Sequence, residues 1–198
     1  MKTARFCLRL GAFALVAAIA AACTAPGPEA ASSAVPAPGA FLDHIRPADL
    51  GRDVDAVQLV SVSRDSTAIT IEVRLSIRAQ QLRLVAQDMI GQRLMTVQWN
   101  GADVVEERSS NLPTFVAPKG LLADLVAICW PESAVRQALE QTGSTLSVRN
   151  DERIILAGGR ETMRAVRSWG PQAPWTGRLT YRNVRAGYIV DVQSVEQP

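Results

Sequence analysis

Three cysteines, one histidine and a few adjacent carboxylates are the side chains of this sequence that could do covalent or acid–base chemistry. A nucleophile needs a base held against it and a third group to orient that base. His44 lies at the edge of a stretch rich in Ala, Pro, Gly and Ser, where little can hold an imidazole still. There is no Gly-x-Ser-x-Gly turn and no glycine loop of the kind that cradles phosphate. With one histidine and so few cysteines, a zinc site is not expected. Glu106-Glu107 and Asp151-Glu152 read as solvated charges at strand ends. The chain is therefore expected to be non-catalytic, with no cofactor and no metal.

Cys23 has the most informative surroundings. Lys2, Arg5 and Arg9 precede an apolar run from Leu10 to Ala22, the charge-then-apolar order of a bacterial secretory signal. Ala20, Ala21 and Ala22 supply small residues directly before Cys23, so residues 1–22 are expected to be removed. This resembles the lipobox of bacterial lipoproteins, with Ala20 where Leu is usual, and the resemblance implies acylation of Cys23. An ordinary signal cut at an A-x-A site, with Cys23 a bystander, is the alternative. Thr24 in place of Asp after the cysteine implies, in such proteins, sorting to the outer membrane. Three acyl chains, at about 0.8 kcal/mol per buried methylene, would anchor the chain to a membrane essentially permanently. Cys129, in an apolar segment, reads as a buried structural thiol.

Residues 23–40 are nearly all small or Pro, cannot bury enough apolar surface to order themselves, and read as a disordered tether. Of 21 Lys and Arg, three leave with the signal, so the mature chain carries 18 against 19 Asp and Glu. A near-neutral chain gives no reason to expect a nucleic-acid partner. Residues 41–198 make one domain of ordinary size.

Within that domain, "AITIEVRLSI" (68–77) alternates without a break: Ile69, Ile71, Val73, Leu75 and Ile77 on one face, polar groups on the other. Period two over ten residues is a long antiparallel strand with one wet face. Strands are likewise expected at 56–63, 81–89, 92–100 and 103–109, with turns at 64–66 and 90–91 and a break at Gly101. Spacing then turns helical: Leu121, Leu122, Leu125, Ile128 and Cys129 in one helix, Val135, Ala138 and Leu139 in a second that starts at Pro131 and stops at Gly143. Strand signals resume at 145–150, 153–158, 161–169, 177–184 and 187–195. The expected fold is mainly β (α+β), a strongly curved antiparallel sheet or half-barrel of about ten strands covered by two or three helices.

Asp124 is a lone charge in an apolar helix. It either pairs locally and balances an Arg on the sheet, or makes a polar contact in a ligand cavity. Trp99 reads as core, whereas Trp169 and Trp175 flank the loop "GPQAP" and read as exposed. Two short helices either close a ten-stranded face or leave an apolar cavity able to take an acyl or polyene chain. Its candidate liners are Ile69, Ile71, Val73, Leu75, Met95, Val97 and Trp99, with Leu125 and Ile128 from the covering helix. Leu112, Phe115, Trp169 and Trp175 are candidates for membrane or partner contact.

Lipobox, long meander, central helices and returning strands together resemble the lipoprotein-localisation proteins LolA and LolB. More closely, Leu112–Leu139 and the terminal "GYIVDVQSV" are similar to DUF3261, a bacterial lipoprotein family related to LolB. The resemblance covers most of residues 41 to 195. It implies a half-barrel that carries an apolar lipid-like ligand, either lipoprotein acyl chains or an aryl-polyene lipid, since members often occur with aryl-polyene biosynthesis genes. It implies an outer-membrane protein on the periplasmic face, served by a periplasmic carrier protein. A structural lipoprotein acting through a protein interface is the alternative.

Overall fold

The computed structural model describes residues 36–168 and 175–198. Cys23 and Trp169 lie outside the described residues. Two short 3-10 helices, Ala40–His44 and Pro47–Leu50, open the described part. A first meander follows: β1 (Val54–Arg64), β2 (Thr67–Arg78), β3 (Gln81–Gln87), β4 (Arg93–Trp99) and β5 (Val104–Arg108). Two helices come next, α1 (Pro118–Cys129) and α2 (Glu132–Glu140). A second meander completes the chain: β6 (Ser144–Arg149), β7 (Glu152–Ala157), β8 (Arg160–Arg167), β9 (Gly177–Asn183) and β10 (Tyr188–Glu196).

All ten strands form one antiparallel sheet in the order β5-β4-β3-β2-β1-β10-β9-β8-β7-β6. The first and last strands pair at its centre, from Ala56 opposite Glu196 to Ser63 opposite Ile189. β5 and β6 are its two free edges, and the chain passes from one to the other through the helices. The sheet is therefore open. Register shifts at Ala86/Gln87 and Ile155/Leu156 add local bends. The β5 edge carries Glu106, Glu107 and Arg108, charges that discourage edge-to-edge pairing.

Period-two patterning decides which face is inside. Val54, Ala56, Val60 and Val62 of β1 are buried with Ile71, Val73, Leu75 and Ile77 of β2, while Thr70 and Arg74 face out. At residue 65 and residue 150 the hairpins turn through left-handed Asp and Asn, residues that tolerate positive φ in tight turns.

α1 runs down the inner face. Its last turn is fastened by Arg153 of β7, whose guanidinium donates to the carbonyls of Ala127 (3.0 Å) and Trp130 (2.8 Å). A cation there satisfies orphan carbonyls and meets the negative helix end. Trp130 packs between Trp99 (ring centroids 5.9 Å) and Trp175 (6.4 Å), and its indole N–H donates to the Arg46 carbonyl at 3.0 Å. Trp175, expected at the surface, is thus fully buried: its ring completes this aromatic cluster under the end of α1. Leu112, another candidate for surface contact, is also buried, at 2% exposure.

Candidate functional site

α1 lies along the sheet without filling its face, and space remains on both flanks. On the flank toward β6–β8 is a cavity of about 260 Å³. α1 contributes Gly120, Ala123, Asp124 and Ala127, small residues whose short side chains leave the space open. The opposite wall is Ile155, Ala157 and Met163 of β7 and β8, with Leu139 from α2. Phe115 closes one side, and six consecutive residues, Pro36 to Phe41, form another. Residues 36–40, expected to belong to a disordered tether, thus pack on the domain. Gly39 adopts positive φ, and a Cβ there would sit 3.3 Å from that of Ala123. Arg185 holds this segment by donating to the Pro36 carbonyl.

One wall is polar. Asp124 accepts from the Tyr188 hydroxyl at 2.6 Å and from the Asn183 amide at 3.0 and 3.2 Å. Asn183 is fixed in turn by the Ala186 backbone N–H, which donates to its side-chain oxygen at 2.9 Å. Burial raises the Asp124 carboxyl to about 6, against the opposing pull of these hydrogen bonds. No basic side chain among the described residues forms an ion pair with Asp124, so no sheet arginine balances it. Asp124 thus pairs with neutral neighbours while lining the cavity.

On the other flank a narrow void of about 40 Å³ is lined by Val73, Met95, Leu125 and Ile128 together with Gln58, Leu84 and Tyr181. Ile71, Leu75, Val97 and Trp99 lie on the same inner face in closed packing, and Ile69 is half-buried at its rim. The structure thus gathers the candidate liners on the filled half of the sheet, and the larger space lies on the other half. Phe115 lines that larger space and has the Arg64 guanidinium 6.0 Å from its ring centre.

The antiparallel order brings the β1–β2, β3–β4, β7–β8 and β9–β10 connections to one end of the sheet. Ala157, Arg185, Ala186 and Tyr188 place the cavity at that end. The β3–β4 tip there exposes Met89 (67%) and Ile90 (89%). It is held in shape by the Asp88 carboxylate, which accepts from the N–H groups of Ile90 (3.0 Å) and Gln92 (2.8 Å). Two apolar side chains are thus presented by a fixed turn; Met89, expected to end a strand, lies beyond β3, which stops at Gln87.

Other reactive groups are placed apart. His44 is exposed at the end of its 3-10 helix. Cys129 is buried, and burial pushes its thiol up to about 12. Glu106 accepts the Lys119 N–H at 2.9 Å near the start of α1, and Glu152 pairs with Arg164. Among the described residues no three His, Cys, Asp or Glu converge as a metal site would require.

Among solved structures, the chain is similar to a LolA superfamily protein from Nitrosomonas europaea, at 13% identity and a TM-score of 0.46, with 82% of this chain and 92% of that one covered. A DUF1329 family protein from Desulfovibrio piger ATCC 29098 is similar at 12% identity and a TM-score of 0.37, with the same coverage. No curated protein matches the chain. The family model described as "Protein of unknown function (DUF3261)" matches residues 55–196, from the second residue of β1 to the last of β10, and the chain belongs to that family.

Proposed function

We propose that this protein is an outer-membrane lipoprotein, anchored through acylated Cys23, that binds or transfers an apolar lipid-like molecule in the periplasm. The observation that carries the reading is the cavity between α1 and β6–β8, walled mainly by apolar side chains with a few convergent polar groups. Its about 260 Å³ is just below the roughly 300–1,000 Å³ usual for small-molecule sites, room for one acyl or polyene segment rather than a triacyl group. Binding is driven by apolar burial, at about 25 cal/mol per Å². The small void at Val73, Met95, Leu125 and Ile128 gives α1 slack to shift as a longer chain enters.

Position supports the same reading. Cys23 and Pro36 are thirteen residues apart, so a fully extended chain spans about 45 Å at most. The cavity end of the sheet, where Pro36 packs, stays within that distance of the anchoring membrane. Met89 and Ile90 at the same end offer it two apolar side chains, a role expected from the sequence for Leu112, Phe115, Trp169 and Trp175. A carrier protein in the periplasm would deliver or collect the ligand, with lipoprotein acyl chains and aryl-polyene lipids as candidate cargo.

The test is native mass spectrometry with organic extraction of the protein purified from its own envelope. An acyl or polyene species at near-unit stoichiometry supports the carrier. A clean apo mass, with no uptake of offered lipid, overturns it in favour of a protein-interface role.

A further inference from the structure

Among the groups lining the cavity, Asp124 is chemically out of place. A carboxylate buried beside alanine, leucine, isoleucine and methionine side chains loses its hydration, and native interiors compensate such a group with a counter-charge. Here compensation is incomplete. Tyr188 donates to Oδ2, Asn183 to both oxygens and Tyr181 adds a further hydrogen bond, all neutral donors that bring no counter-charge to the carboxylate. The titratable groups that face it, Tyr181 from β9 and Tyr188 from β10, are neutral phenols. The Pro36–Phe41 wall carries no charge. Arg185, the one basic residue lining the cavity among the described residues, is turned to the Pro36 carbonyl.

We infer that the cavity selects an apolar molecule bearing a cationic, hydrogen-bond-donating head, such as a primary amine, whose ammonium group completes the coordination of Asp124. The inference rests on the carrier reading and specifies its ligand class. Tyr188 and Asn183 orient the carboxylate, the small residues of α1 give access to it, and the apolar walls take the tail. An ammonium supplies both what the site lacks and what it can hold: a positive charge and further donors in a water-poor setting, where charge-assisted bonds are strongest. Because burial raises the carboxyl to about 6, the group is ionised at neutral pH and loses its charge in mild acid.

Calorimetric titration of the full chain with hexylammonium and with 1-hexanol tests this. At about pH 8 the ammonium should bind roughly ten-fold more tightly than the alcohol, the scale of a hydrogen bond to a charged group. Asp124→Asn should erase that preference and leave hexanol binding within about three-fold, since the amide keeps the shape but not the charge. The wild-type chain should also lose the preference at about pH 4.5, a readout that needs no variant. Hexanol binding without an ammonium preference, or a preference that survives in Asp124→Asn, overturns the inference and leaves the apolar cavity standing. Failure of both probes to bind overturns the cavity reading and this inference with it.

Discussion

At the scale of single residues, Asp124 sets a pH dependence of known sign. Its carboxyl is raised by burial to about 6 from the ordinary 3.8, so the native state holds a proton that the unfolded chain releases. Its effect on stability is therefore most favourable below about pH 4, is lost as pH rises toward about 6, and is level above that. At about 1.4 kcal/mol per pH unit the change is on the order of 3 kcal/mol. Asp124→Asn should flatten that limb of a plot of melting temperature against pH; an unchanged limb would mean that other groups cause it. Cys129, with its thiol pushed up to about 12, should resist aromatic disulfide reagents until the chain unfolds. Asp124 stood out in the sequence as one charge among apolar neighbours. Its partners did not, because Tyr188 and Asn183 arrive from strands some sixty residues later, a distance no local pattern spans.

At the scale of elements, the strands were most readable where they bury alternate residues on one face, a period of two that survives into the burial pattern of β2 and β10. The two 3-10 helices were not, being too short to show a period. Arg153 was legible only in part. It stands in phase with the inward-facing Ile155 and Ala157, a cation in a core register, but the carbonyls it serves belong to another element. Arg153→Leu keeps the apolar volume and strands those acceptors at the end of α1. It should cost about 1–3 kcal/mol for each buried carbonyl left unpaired, read as a lower midpoint in urea. Gly101 poses a different constraint: φ is +90° and a Cβ would sit 2.5 Å from the Arg46 side chain. Gly101→Ala should therefore cost about 1–3 kcal/mol and loosen the 3-10 segment, seen as faster hydrogen exchange over residues 40–50. Which flank of α1 stays open was not readable either, since it depends on how Gly120, Ala123 and Ala127 face the far meander.

At the scale of the whole molecule, the exposed β3–β4 tip should separate membrane contact from stability. Ile90→Glu replaces an 89% exposed side chain, so melting temperature should hold while association with lipid vesicles falls. A variant that still associates fully would show that the tip is idle. The central pairing of β1 with β10 has a consequence for how the chain comes to be folded. Each meander is built from neighbouring hairpins and can form locally, but the seam that joins them ties residues 54–64 to residues 188–196 and cannot close until the last strand is available. Until then two half-sheets each present a long unpaired edge, the state most open to wrong association. A chain ending after Asn183 would lack the strand that closes the seam. It should collect as aggregates in which β1 finds its partner on another copy, which makes the final nine-residue strand the arbiter between a monomer and a deposit.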